Sequence, residues 1–448
     1  MAAGREDGKV TSRGEHARTD RIRDARPAVM TAMEAIAAVG DGMRVLIGSG
    51  AAAPLALIDA LAAYGSSLRR VEVCQLLTLG SAPYTKPELR GSIRHNAFFI
   101  GSNTRAAVDR GDADFTPVFL SEIPSLFRHQ LPIDVALIQV SPPDAHGFCS
   151  LGVSVDIVKP AVEVARVVIA EINPKMPRTH GDAFVHISHL SRCVEVDHAI
   201  PELIADKISD VEHAIGVHVA GLVRDGDTIQ MGIGAIPNAV LASLRSHRDL
   251  GVHTEMFSDG VVDLVTQGVI TNQRKTLHPG KLVTSFVMGT ERLYRFVDDN
   301  PIIEMHPSDY VNDPWIVSQN RGMVAINSAL AVDLTGQVCA DSLGPRFYSG
   351  VGGQVDFIRG AARAEGGRPI VALPSTAKQG TVSRIAVELA SGSGVTTSRG
   401  DVHYVVTEFG VAMLHGLSVR ERVQALVAVA HPQFREELLA GARERRWI

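Results

Sequence analysis

Residues 39–61, VGDGMRVLIGSGAAAPLALIDAL, recur as residues 223–244, VRDGDTIQMGIGAIPNAVLASL, at an offset of 184 that carries Asp41 onto Asp225. The same offset places Gly42 on Gly226, Val45 on Ile229, Gly48 and Gly50 on Gly232 and Gly234, and Leu57 on Leu241. Each copy reads as a turn, a strand, a tight glycine turn and a helix. Asp-Gly supplies the turn, a short apolar run the buried strand, and the glycines a sharp entry into an apolar-periodic helix. A repeat this distant marks a duplicated domain, because solenoid periods lie at roughly 20 to 50 residues.

Two domains also suit a chain of 448 residues, which exceeds what one hydrophobic core usually supports. The composition, 45% hydrophobic and 21% charged with 41 glycines, is that of a packed globular enzyme. Aromatics are scarce, so Val, Ile, Leu and Ala must build the cores. The net charge is −5, and the basic residues form no stripe with interleaved aromatics, which argues against a nucleic-acid partner. No run approaches the roughly 18 apolar residues of a membrane span. Residues 1–26 carry both charge signs without an apolar segment and read as a flexible polar tail. Cys74, Cys149, Cys193 and Cys339 form no CxxC pair; buried thiols in a reducing cytoplasm are expected.

Val135–Val140 and Val167–Ile172 are continuous apolar runs of strand length, the pattern of a parallel sheet covered on both faces. Val71–Leu77 and Phe98–Ile100 are further strand candidates, and Pro27–Val39 has a helical pattern. The expected class is α/β, with two similar tandem domains, each a mostly parallel sheet covered by helices. The first spans 27–205. The helix-like Glu202–Val223 then leads into a second domain, 206–448, with strands at Leu282–Met288, Val324–Asn327, Ile370–Leu373 and Val402–Val406. Arg420–Ala430 and Gln433–Ala442 read as closing helices.

The second glycine turn, Gly232-Ile233-Gly234-Ala235-Ile236, opens a helix directly after a strand, so its free N–H groups suit an anion or a developing oxyanion. Glu255 follows Gly234 by 21 residues, in GVHTEMFSDG. In a dinucleotide fold an acidic residue there would bind a ribose hydroxyl, but the third glycine of that fingerprint is missing, with Pro237 and Asn238 in its place. The other reading makes Glu255 a nucleophile beside N–H donors at the carboxyl edge of a parallel sheet, ionised at neutral pH and able to attack a thioester. A solvent-facing or ion-paired strand-end glutamate is the plain alternative. A third glycine cluster, Gly350 to Gly353, is expected to follow an apolar strand and could bring a further N–H to this centre. Lys378 follows the 370–373 strand and suits a phosphate or a carbonyl, or else is a solvated surface lysine. Glu171, Glu304 and Glu408 border strand-like runs and are rival carboxylates. His186 and His189 lack an acidic or thiolate partner at ligand spacing, so no metal site is expected. There is no GxSxG elbow.

Eight ordered segments carry a resemblance: SPPDAHGFCSLGVSVD (141–156), AEINPKMPRTHGD (170–182), GIGAIPNAV (232–240), GVHTEMFSDG (251–260), HPSDYVNDP (306–314), YSGVGGQVDF (348–357), ALPSTAKQG (372–380) and TEFGVAMLHG (407–416). Together they resemble the acetyl-CoA hydrolase/transferase family, nearest its 4-hydroxybutyrate CoA-transferase group, from about residue 27 to the C-terminus. The resemblance implies a tandem of two similar α/β domains and ping-pong transfer of coenzyme A between a short-chain acyl-CoA and a carboxylate. Glu255 would be the nucleophile that becomes a glutamyl-CoA thioester. It further implies backbone oxyanion donors from the Gly232–Ile236 turn and from Gly352 or Gly353, and CoA contacts at Gly232, Ile233, Gly234, Ala235, Ile236, Gly353, Lys378 and Leu330. Coenzyme A or acyl-CoA is then substrate, with no permanently bound cofactor. Homo-oligomers are implied, with a homodimer the simplest. Hydrolysis by the same glutamate is the enzymatic alternative, and a CoA-binding sensor without turnover the non-enzymatic one.

Overall fold

The computed structural model describes residues 27–205 and 207–448; the tail expected at 1–26 lies outside them. In the first half, strands β1 (Arg44–Ile47), β2 (Val71–Gln75), β3 (Ile93–Ala97), β4 (Ala113–Phe115), β5 (Val135–Val140) and β6 (Val167–Ile172) are followed by the short β7 (His180–Gly181) and by β8 (Arg192–Glu195). Seven of them form one parallel sheet in the order β8-β6-β5-β1-β2-β3-β4. Every residue of β5 is buried, which is why its sequence is an unbroken apolar run.

In the second half, β9 (Thr228–Met231), β10 (Gly251–Val252), β11 (Leu282–Thr284), β12 (Ile303–Met305), β13 (Met323–Ser328), β14 (Arg368–Ala372), β15 (Tyr404–Thr407) and β16 (Gly410–Met413) follow. The main sheet runs β10-β9-β13-β14-β15-β16, parallel except for β16. A parallel bridge from His253 to Val283 continues it into β11-β12-β7. The succession β15-β14-β13-β9-β10-β11-β12 therefore repeats the first sheet strand for strand. The duplication read from the glycine turns extends through the whole sheet.

The halves are interleaved. β7 belongs in sequence to the first half yet pairs with β12 of the second. In the other direction, Ser349–Gly352 docks on the first half: Ile100 N–H donates to Ser349 O (2.9 Å) and Leu120 N–H to Gly352 O (3.1 Å). Asp356 accepts from Ser121 N–H (3.1 Å) and Oγ (2.9 Å), and Arg346 pairs with Asp109.

Several local expectations are corrected. Phe98–Ile100 is not a strand; it leaves β3 to hold the 349–352 loop. Leu282–Met288 is two short strands, β11 and Phe286–Val287, because the Ser285 and Phe286 N–H groups turn aside to donate to Glu255 O (3.0 and 3.2 Å). The helix expected over Pro27–Val39 covers only Ala32–Ile36, and that over Glu202–Val223 only Asp210–Ala220. Both begin at capping boxes, Thr31 with Glu34 and Ser209 with Glu212, where a side-chain oxygen replaces the missing helical acceptor. The Gly350–Gly353 cluster follows the largely exposed Ser342–Leu343/Arg346–Phe347 hairpin, with only Ser342 of these four buried, rather than an apolar strand.

Candidate active site

β9 and β10 end side by side, and their C-terminal edges meet the 349–354 segment across a cavity of about 230 Å³. Its walls include Gly232, Ile233, Glu255, Met256, Gly352, Gly353 and Gln354 from the second half, and Leu76, Leu77 and Phe99 from the first. A second cavity, about 580 Å³, adjoins it: Ile233 and Met288 line both, and Gly234, Asn238, Arg245 and Asp259 line the larger one. Ligands of open parallel sheets occupy this edge.

Glu255 is held from both ends. Its backbone carbonyl accepts from Ser285, from Phe286 and from Thr284 Oγ1 (3.1 Å), which fixes the chain where β10 has run out. Its side chain is partly exposed to the cavity, and Oε2 accepts from Asn312 Nδ2 (2.9 Å). The Gly353 N–H also faces this carboxylate and favours its charged form. Burial outweighs both donors: the carboxyl is pushed up to about 7, with the negative charge of Asp156 adding to the shift. Asp156 and Asp356 are buried carboxyls themselves raised, mainly by burial, to about 6 and about 8. A carboxyl that titrates near 7 in a small, mostly apolar cavity, flanked by a backbone N–H and a side-chain amide, can act as a nucleophile toward an activated carbonyl.

Gly353 has no room for a side chain. A β-carbon there would stand 2.0 Å from Glu255 Oε2 and 2.2 Å from Asn312 Nδ2. Gly234 is required for a different reason: it caps the helix Ala235–Ser243 at φ 110°, ψ −177°, a conformation open in practice only to glycine.

The expected residues are thus partly united. Gly232, Ile233, Glu255, Gly352 and Gly353 share the smaller cavity, and Gly234 lines its neighbour. Ala235 and Ile236 form the first turn of the helix behind the glycines, with Ile236 buried. Leu330 and Lys378 lie outside both linings. Leu330 is half-buried just beyond β13, and Lys378 is exposed in a hairpin turn.

The rival carboxylates are committed elsewhere. Glu171 is fully buried and accepts from Leu57 N–H (2.8 Å) with His198 at 3.2 Å. Glu408 accepts from Ser375 N–H (2.8 Å) and Oγ (2.6 Å), and Glu304 pairs with His278 (2.7 Å). All four cysteines are buried and free. Sequence reasoning missed Asn312, although HPSDYVNDP contains it; an amide directly after a short helix carries no mark of its own until Glu255 is seen opposite. It also missed Leu76, Phe99 and Gln354, which are ordinary strand-end and helix-start residues in the sequence.

Truncating Asn312 to alanine removes a donor to the charged carboxylate, a bond worth roughly 1.5 to 3 kcal/mol. The Glu255 carboxyl should then titrate about one to two pH units higher. The acid limb of the rate profile moves up by that amount, measured as kcat/KM from pH 5.5 to 9.

The tandem α/β fold, with a half-buried glutamate at a cavity between its halves, is the architecture of a known enzyme family. That family follows from two family models: the acetyl-CoA hydrolase/transferase N-terminal domain matches residues 16–206 and the corresponding C-terminal domain residues 289–442. The chain belongs to the acetyl-CoA hydrolase/transferase family. It is 50% identical, over 93% of its length and 97% of the relative's, to the 4-hydroxybutyrate coenzyme A transferase of Clostridium kluyveri. The crystal structure of RipA from Yersinia pestis superposes with a TM-score of 0.90 at 38% identity, covering 94% of this chain and 98% of that one. A 4-hydroxybutyrate CoA-transferase from Porphyromonas gingivalis superposes at 0.81 with 43% identity, covering 93% and 97%.

Proposed function

We propose that this enzyme moves coenzyme A between a short-chain acyl-CoA and a carboxylate such as acetate or 4-hydroxybutyrate, through a glutamyl-CoA thioester on Glu255. The observation that carries the reading is the half-buried Glu255 carboxylate, facing a small cavity with Gly353 N–H and Asn312 at its oxygens. Ionised Glu255 attacks the thioester carbonyl, and the collapsing tetrahedral adduct expels CoA thiolate and leaves a mixed anhydride. The thiolate attacks the glutamyl carbonyl, releasing the first acid as carboxylate and leaving CoA on Glu255. An acceptor carboxylate runs the same steps in reverse. Backbone N–H groups of Gly232–Ile236 and of Gly352 or Gly353 serve the oxyanions, each worth on the order of 3 kcal/mol when preorganised. The nucleotide end of CoA reaches toward Lys378 and Leu330, outside the reacting cavity, where remote binding energy helps lower the barrier.

The test is the mass of the peptide containing Glu255 after incubation with acetyl-CoA alone. A CoA adduct that disappears on adding acetate or 4-hydroxybutyrate, with acyl-CoA formed in step, supports transfer. Thiol release independent of any added carboxylate supports hydrolysis, the family's other chemistry. Neither adduct nor thiol release, with acyl-CoA still bound, leaves a binder without turnover.

The rate should follow the ionised fraction of Glu255. With the carboxyl near 7, the first half-reaction falls about tenfold per pH unit below that value and levels above it; stopped-flow thiol release on acyl-CoA mixing reads this directly. We further place the domain boundary at residues 205 and 206 and propose a cytoplasmic homo-oligomer, the buried free thiols fitting a reducing compartment.

A further inference from the structure

Outside the linings of both cavities, three ligand-type side chains converge. His278 precedes β11, Glu304 lies in β12, and His306 follows it. Their nitrogen and oxygen atoms lie within 4.8 Å of one another. His278 Nδ1 is 2.7 Å from Glu304 Oε2, and His306 Nε2 is 3.6 Å from the same oxygen. The imidazole centroids are 5.5 Å apart. We propose that His278, Glu304 and His306 form a binding site for one divalent transition-metal ion of the zinc type.

Three features support a built site. His306 Nε2 is buried and has no hydrogen-bond partner, and it stands beside the oxygen that His278 already meets; buried ring nitrogens are rarely left unpaired. His278 points its other nitrogen, Nε2, at Tyr310 Oη (2.6 Å). That contact fixes the ring and leaves Nδ1 as the ligand atom, the outer support typical of metal-bound histidine. His278 is also held at φ 49°, an uncommon backbone state for a side-chain-bearing residue, which aims its ring at Glu304.

Lys281 Nζ lies 3.9 Å from the other Glu304 oxygen, Oε1, and donates to Pro301 O (2.5 Å). Two imidazoles and one carboxylate suit zinc, cobalt or ferrous iron over magnesium or calcium, and three protein ligands leave a fourth position for water. All three side chains are partly exposed, so an ion can enter from solvent. The bound ion would tie β11 to the segment running through Pro307 and the helix Ser308–Val311 to Asn312.

The experiment is equilibrium dialysis of the untagged, chelator-treated full chain against Co²⁺, with visible absorption, then displacement by Zn²⁺. The expected result is one cobalt per chain with the intense absorption of a four-coordinate centre, bleached by zinc and lost in His306→Ala. Tyr310→Phe, which keeps all three ligands, should bind roughly 10- to 100-fold more weakly. Wild-type protein that takes up no stoichiometric cobalt overturns the site, whether or not His306→Ala folds. So does a cobalt spectrum unchanged in the folded His306→Ala and Tyr310→Phe variants, since the ion would then sit elsewhere.

Discussion

Glu255→Gln should abolish acyl exchange, lowering kcat/KM by about 10⁴-fold or more, on the scale at which loss of a covalent nucleophile acts. The amide is isosteric and still meets Asn312 and Gly353, so acyl-CoA affinity measured by calorimetry should stay within a small factor. Near-normal turnover in this variant would remove Glu255 from the mechanism. The same substitution should stabilise the fold at alkaline pH. The folded carboxyl sits near 7 against an ordinary 4.5, so at pH 4 both states are protonated and the variant and wild type should match. From about pH 4.5 to 7 the unfolded chain ionises this carboxyl while the folded state resists, so wild-type stability falls across that window and levels above it. Discounted for its partial exposure, the difference should reach about 1 to 2 kcal/mol at pH 8, read as a rise in Tm of the glutamine variant. A more active and less stable wild type is the ordinary relation between a catalytic centre and its scaffold.

Gly353→Ala tests the geometry of the same centre without deleting its chemistry. Backbone angles of φ −97° and ψ 4° at this position are open to alanine, so folding should survive. The new methyl cannot coexist with the present positions of Glu255 Oε2 and Asn312 Nδ2, 2.0 and 2.2 Å away. The carboxylate must swing from its two donors, and a displacement of about 1 Å at a reacting group costs on the order of 10²-fold or more in rate. The expected signature is a fall in kcat with cooperative unfolding retained, and slow formation of the CoA adduct on Glu255. Unchanged kcat would mean that the nucleophile reacts from a different rotamer.

What was legible in the sequence follows from burial. β5 and β6 were bounded to the residue because sheets covered on both faces demand continuous apolar runs. The glycine turns and Glu255 were legible because backbone geometry and a charged residue at a strand end leave local marks. Elsewhere a tertiary contact decided. Nothing within Leu282–Met288 announces a break at Ser285; the Glu255 carbonyl, some 30 residues earlier, draws those N–H groups away. Ser209 and Glu212 spell a capping box, so the sequence itself marks a helix start at Asp210 rather than at Glu202. Glu304 read as a rival nucleophile because its partners His278 and His306 approach only in three dimensions. Lys378 follows a strand as expected, yet it sits in a hairpin turn outside the lining of the Glu255 cavity.

The matched strand registers have a historical meaning. In β1 and β2, Arg44 pairs with Glu72 and Val45 with Val73; in β9 and β10, Thr228 pairs with Gly251 and Ile229 with Val252. Carried forward by the same steps, the counterpart of Glu255 in the first half is Leu76, and both face one cavity. An ancestral pair of identical halves would have set two carboxylates, or two leucines, across that space from each other. Two charges in so small an apolar volume would repel, and two leucines would be inert. In one chain the two positions are free to differ: on the proposed reading Glu255 supplies the reagent, and Leu76 is part of the apolar wall beside it.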